Sequence, residues 1–147
     1  YYHRTIGINS RMDAIQAGVI LVKLPHLEDW HRGRRENAAY YDRKLADLPV
    51  VTPTVLDGCE SVFNQYVIRA PRRDELRVFL KEKDIGNEIY YPVPLHLQEC
   101  YADLGYRKGD LPEAEKAAEE TLALPIYPQL TESQLDEVIA AIREFYQ

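Results

Sequence analysis

Apolar positions recur along this chain at two intervals, and the interval changes where prolines and glycines fall. Met12, Ile15, Val19 and Val22 step by three and four, the spacing that puts side chains on one face of a helix. Ser10 followed by Asp13 reads as a capping-box-like start, and Pro25 as the stop, because proline lacks the amide that would continue the ladder. Leu27, Trp30, Arg34, Ala38, Tyr41 and Leu45 repeat the pattern between Pro25 and Pro49. At roughly 1.5 Å per residue this second helix runs about 30 Å, enough to connect two lobes.

Beyond Pro49 the period shortens. The stretch VFNQYVIRA, Val62 to Ala70, is rich in β-branched and aromatic residues and predicts a strand closed by Pro71. A helix is expected over Asp74 to Lys83 on Leu76, Phe79 and Leu80, with Gly86 soon after it, and a second strand over Asn87 to Tyr91. Asp110 and Pro112 open an alanine- and glutamate-rich helix ending near Leu122, and ALPIYP follows as a short extended segment. Thr131 and Gln134 form a capping box for a terminal helix whose inner face is Leu135, Val138, Ile139, Ile142 and Tyr146. A few strands separated by helices predict an α+β fold, a short sheet covered by helices on one side. Residues 1–48 read as a helical connector packing on a neighbour or a further lobe, and 49–147 as a small α+β domain.

Composition narrows the function classes. A length of 147 residues with 46% apolar content suits an ordinary globular domain with one core. Eighteen basic against twenty-four acidic residues leave a net charge of −6, which draws the chain to neither nucleic acid nor an anionic membrane. The longest apolar run, Ala17 to Val22, is far short of the roughly 20 residues that span a bilayer. Cys59 and Cys100 match no metal-ligand spacing and are too few for a disulfide framework, so a reducing, cytoplasmic setting is expected. The opening at Tyr1 reads like a piece of something longer.

Candidate chemistry is sparse: no glycine-rich phosphate loop, nucleophile elbow or metal-ligand spacing occurs. The run HRGRR, His31 to Arg35, reads as a solvated helix face. Two places suggest more. Asn9 and Arg11 flank a helix start, where an amide and a guanidinium suit an anion as well as they suit capping. In GNEIYYPVPLHLQ, Pro92 and Pro94 make rigid the backbone from which Tyr90, Tyr91, His96 and Gln98 emerge.

Four blocks in order carry a resemblance: YYHRTIGINSRMDAIQAGVILVKLPHLEDW, NQYVIRAPRRDEL, IYYPVPLHLQECYADLGY and LPEAEKAAEETLALPIYPQLTESQLDEVI. Together they resemble the C-terminal portion of the DegT/DnrJ/StrS family of sugar aminotransferases, over nearly the whole chain. The resemblance implies the small C-terminal domain of the aspartate-aminotransferase architecture, here preceded by two long helices. It implies pyridoxal 5'-phosphate as cofactor, a homodimer, and amino transfer from glutamate to a nucleotide-linked keto-sugar. Asn9 looks like the asparagine that reaches the partner subunit's cofactor phosphate, and Arg11 like the neighbouring arginine that approaches a substrate carboxylate. Tyr90 stands where many relatives carry histidine, which favours sugar or phosphate contact over proton transfer; Tyr91 matches the usual tyrosine. His96 fits the tail of the pattern, as a substrate contact or as a brace for the loop.

The family's Schiff-base lysine is expected outside this chain, since lysines 23, 44, 81, 83, 108 and 116 match no such motif. Without it the chain alone is expected to be inactive. Two alternatives stay open: a pyridoxamine-phosphate-dependent sugar dehydratase of the same family, and a non-catalytic interaction module in which Asn9 and Arg11 only cap a helix.

Overall fold

The computed structural model describes residues 1–147. After an extended lead-in come α1 (Ala14–Lys23), α2 (Leu27–Leu45), β1 (Tyr66–Arg69), α3 (Arg73–Glu82), α4 (Pro112–Glu120), β2 (Thr121–Leu124) and α5 (Glu132–Tyr146). Strands β1 and β2 pair antiparallel with Tyr66 opposite Leu124 and Arg69 opposite Thr121. Single bridges widen this ribbon on both sides, Val51 to Arg69 and Glu88 to Ala123, so the chain order across the sheet is Val51, β1, β2, Glu88. The expected α+β fold is present.

One face of the ribbon is the core. Alternation along each strand turns Tyr66, Ile68, Leu122 and Leu124 to the same side, and all four are buried. Against them pack Ala38, Tyr41 and Leu45 of α2, Leu76 and Leu80 of α3, and Leu135, Val138, Ile139 and Ile142 of α5. Burying a side chain of this size contributes about 1.5–3 kcal/mol. The second half of α2 therefore shares a core with residues 49–147, while Leu27, Trp30, His31 and Arg34 of its first half line a cleft with Val62, Asn64 and Pro128. Helix α5 starts as its sequence predicts: Gln134 N donates to Thr131 Oγ1 and Thr131 N donates to Gln134 Oε1.

Several expectations are corrected. The cap of α1 is Asp13 with Gln16, not Ser10 with Asp13. Gln16 N donates to Asp13 Oδ1 and Asp13 N to Gln16 Oε1; an aspartate three residues after a cap is too short to reach back, whereas a glutamine is not. Pro25 does stop α1, which ends at Lys23, and the proline itself sits in a 3-10 turn, Leu24–His26, that leads into α2; there an amide has no helical acceptor to lose. Only α2 is long, at 19 residues against 10 in α1. The strand expected over Val62 to Ala70 shrinks to four residues because Phe63 takes a φ of +45°. Helix α4 ends at Glu120, and the following strand begins at Thr121 rather than inside ALPIYP, because pairing with β1 captures the β-branched Thr121.

The expected strand Asn87 to Tyr91 contributes one bridging residue, Glu88. Tyr91 then adopts a φ of +60° and Pro92 has no amide to donate, so the ladder cannot continue. In its place come two 3-10 turns, Leu95–Leu97 and Glu99–Leu104.

Candidate active-site wall

The candidate residues lie on two segments. Residues 1–13 run extended and exposed into α1, and Asn9 and Arg11 lie on this lead-in rather than on the helix. Arg11 joins Met12, Ile15, Val19 and Ile20 along an open, largely apolar groove. The second segment is the proline corner, where Tyr90 is half-buried and lines a cleft with Asn64, Gln65, Glu88 and Pro125. Tyr91 is 60% exposed and held in the left-handed region, which a tyrosine rarely adopts and which needs surrounding structure to persist.

The corner and the lead-in meet at Tyr1. Its ring stands edge-on to Tyr90 at 6.4 Å and tilted to Tyr91 at 6.2 Å. Gln98, buried beneath them, accepts from the His3 amide (2.9 Å) and donates to the carbonyls of Tyr1 (2.9 Å) and Val93 (3.2 Å). Arg11 and Tyr90 line separate clefts.

His96 lies inside rather than on the surface of either cleft. Its Nε2 is 3.0 Å from Glu115 Oε1, and the same oxygen accepts from the Gly109 amide at 2.8 Å. The Gly109 amide, with the His96 ring and the Leu111 amide in support, holds the Glu115 carboxyl below its ordinary range against the opposing effect of burial. An ionised Glu115 is acceptor-only, which makes His96 Nε2 the donor. Tyr106 packs edge-on against the imidazole. The pair braces the loop before α4 against the corner.

Nineteen residues separate His96 from Glu115, and 95 separate His3 from Gln98, so no local pattern announces either contact. The solvated-face reading of HRGRR is also corrected. Arg34 Nη1 donates to Ile126 O at 2.8 Å, and Gly33 lies so close to Pro128 that a Cβ would sit 2.8 Å from its carbonyl oxygen.

The exposed amide of Asn9 and guanidinium of Arg11 form a donor set that suits an anionic group such as a phosphate or carboxylate. No three His, Cys, Asp or Glu side chains gather as metal ligands. Lys83 pairs with Glu144 at 2.9 Å, Lys116 approaches Glu120 at 3.9 Å, and Lys44 stands over the Tyr40 ring. Both cysteines are free, and no helix is long and apolar enough to cross a membrane.

Known proteins resemble this arrangement end to end. The chain is 54% identical over 99% of its length to a "Pleiotropic regulatory protein" of Geobacillus stearothermophilus, covering 40% of that protein. It is 41% identical over 99% of its length to the dTDP-3-amino-3,4,6-trideoxy-alpha-D-glucose transaminase of Streptomyces venezuelae, covering 38% of it. The crystal structure of S. venezuelae DesV in complex with a ketimine intermediate superposes with a TM-score of 0.89 at 40% identity, over 100% of this chain and 40% of that one. The chain thus spans about 40% of the length of the curated relatives it matches. The family profile matches residues 1–143, and with the lead-in, the corner and the core all inside that match, the chain belongs to the DegT/DnrJ/EryC1/StrS aminotransferase family.

Proposed function

We propose that this chain forms the substrate-facing and subunit-bridging part of a pyridoxal-phosphate-dependent aminotransferase that moves an amino group from glutamate to a nucleotide-linked keto-sugar. The observation that carries this reading is the whole-chain agreement with DesV, which includes the lead-in and the proline corner as well as the core. The activities of relatives at 41% and 36% identity support it: a dTDP-amino-sugar transaminase and an aminotransferase for UDP-N-acetyl-3-dehydro-alpha-D-glucosamine.

In this reading residues 1–48 connect to a large lobe and the dimer interface, and 49–147 form the small domain. Asn9 donates its neutral amide to the cofactor phosphate across the dimer, without the desolvation cost of burying a charge. Arg11 grips a substrate carboxylate with two parallel bonds. Tyr90 and Tyr91 offer ring faces and hydroxyls to the sugar or its phosphates, and His96 holds that wall from beneath through Glu115. Pyridoxal phosphate, when bound, supplies the electron sink that amino exchange requires, and the lysine that anchors it comes from outside these 147 residues. The two free cysteines suit a reducing cytoplasm.

The test uses the full-length polypeptide containing this chain, supplied with glutamate and dTDP- or UDP-linked keto-sugars. Cofactor absorbance, 2-oxoglutarate release and an aminated sugar are expected. A deoxygenated sugar without amino gain would assign the protein to the dehydratase branch, and absence of cofactor binding would leave the interaction-module reading. In the active enzyme, Arg11→Ala is expected to lower kcat/KM at least about tenfold, the effect of losing a charge-assisted pair, with the melting temperature unchanged. Undiminished turnover would remove Arg11 from the site.

A further inference from the structure

We infer that Gln98 is a positioning residue that fixes the lead-in carrying Asn9 and Arg11 against the corner carrying Tyr90 and Tyr91, so that these two recognition elements keep one spacing. The inference rests on the proposed function for what those four residues recognise. The holding itself rests on geometry alone.

Gln98 is 4% exposed, yet both ends of its side chain are engaged. Oε1 accepts from the His3 amide, and Nε2 divides its two hydrogens between Tyr1 O and Val93 O. A primary amide is the side chain that offers an acceptor and two donors at once; a carboxylate of the same shape cannot donate, and a thioether has no comparable donor or acceptor. The Cys100 amide adds a backbone bond to His3 O at 3.2 Å, and Tyr1 rests on both corner tyrosines. Beyond Arg4, which faces Glu99 at 3.8 Å, the lead-in stays exposed, and α1 buries no residue. The Gln98 anchor is thus the last firm hold before Asn9, six residues past His3, a reach of about 20 Å for extended chain. On the corner side, the bond to Val93 O closes the turn directly after Tyr91, whose left-handed backbone persists only where its surroundings over-determine it. One side chain therefore restrains both elements.

The experiment uses the full-length holoenzyme with Gln98→Met and, separately, His3→Pro. The second removes the same hydrogen bond from the exposed side and leaves the buried glutamine in place. Amide hydrogen exchange is read at Cys100, whose amide donates to His3 O, with α5 as the control for folding. In both variants exchange of the Cys100 amide is expected to accelerate about tenfold or more, the effect of releasing a protecting hydrogen bond. The kcat/KM for the keto-sugar nucleotide should fall about tenfold, mostly through KM, with cofactor absorbance intact.

Unchanged exchange in both variants would overturn the holding role. Faster exchange with unaltered kcat/KM would overturn its link to recognition. If Gln98→Met loses α5 protection, His3→Pro alone decides between these outcomes. A wild-type enzyme without amino transfer would defeat the proposed function, and the exchange measurement would still decide whether Gln98 holds the lead-in.

Discussion

Arg73 closes the end of α4 from a different helix. Its guanidinium donates to Ala118 O in the last turn of α4 at 3.0 Å and to the carbonyl of Thr121, the capping residue that begins β2, at 2.7 Å, and Nε pairs with Asp74 at 2.7 Å. Only 8% of the residue is exposed. Arg73→Met fills similar volume but strands those carbonyls, so a loss of about 2–4 kcal/mol is expected in denaturant unfolding; a change under about 0.5 kcal/mol, usual for a surface site, would show that water replaces the arginine. In the sequence, PRRDEL looks like a charged helix start and nothing more, because the partners lie 45 and 48 residues away. Asn9, Arg11, Tyr90 and Tyr91 were legible as candidates because their neighbours in sequence, a helix start and two prolines, are also what gives them meaning. Glu115 and the bonding of Gln98 were not, since each depends on a contact between distant segments.

Among the elements, α2 inverts the usual effect of a glycine. In an exposed helix interior, Gly→Ala is stabilising by about 0.8–1.0 kcal/mol. At Gly33 a Cβ would meet the backbone of Pro128 at 2.8 Å, so Gly33→Ala is expected to destabilise by about 1–3 kcal/mol, readable from the thermal midpoint. A stabilised variant would mean that the segment around Pro128 yields. Helix α1 makes the opposite case. Ile15, Val19, Ile20 and Val22 are 47–83% exposed on a helix that buries nothing within the chain. In the isolated 147-residue chain, Ile15→Asp with Val19→Asp is expected to leave unfolding within about 0.5 kcal/mol of the parent, while lowering self-association and hydrophobic-dye binding. A large loss of stability would place this face in a core. Periodicity located both helices correctly, since the 3.6-residue repeat is a property of the chain itself. It could not say that one stripe is covered within the chain and the other is not.

Across the whole molecule, three carboxylates bind protons more weakly in the folded chain than in the unfolded one. Hydrogen bonds from Arg143 lower Asp47, those from Arg72 lower Glu75, and the Gly109 amide, with His96 in support, lowers Glu115. The unfolded state then takes up more protons as pH falls, so the stabilisation is complete above the ordinary carboxylate range of about 4 and is lost below it. A flat denaturation midpoint from neutral pH to about 5 and a decline under about 4 are expected, with a shallower decline in Glu115→Gln. An unaltered slope in that variant would count against the brace. The amino-acid order alone was enough for the periodic and the local: five helices, the α5 capping box, one strand core, the proline corner and the ordered blocks that carry the family. Such features arise within a few residues of each other, where backbone geometry and side-chain reach suffice. It took the folded chain to narrow the expected second strand to Glu88, to start β2 at Thr121, to turn His96 inward to Glu115 and to tie the lead-in to the corner through Gln98. Each of these is settled by pairing between segments distant in sequence, where burial makes every polar group find a partner, and sequence spacing carries no measure of that proximity.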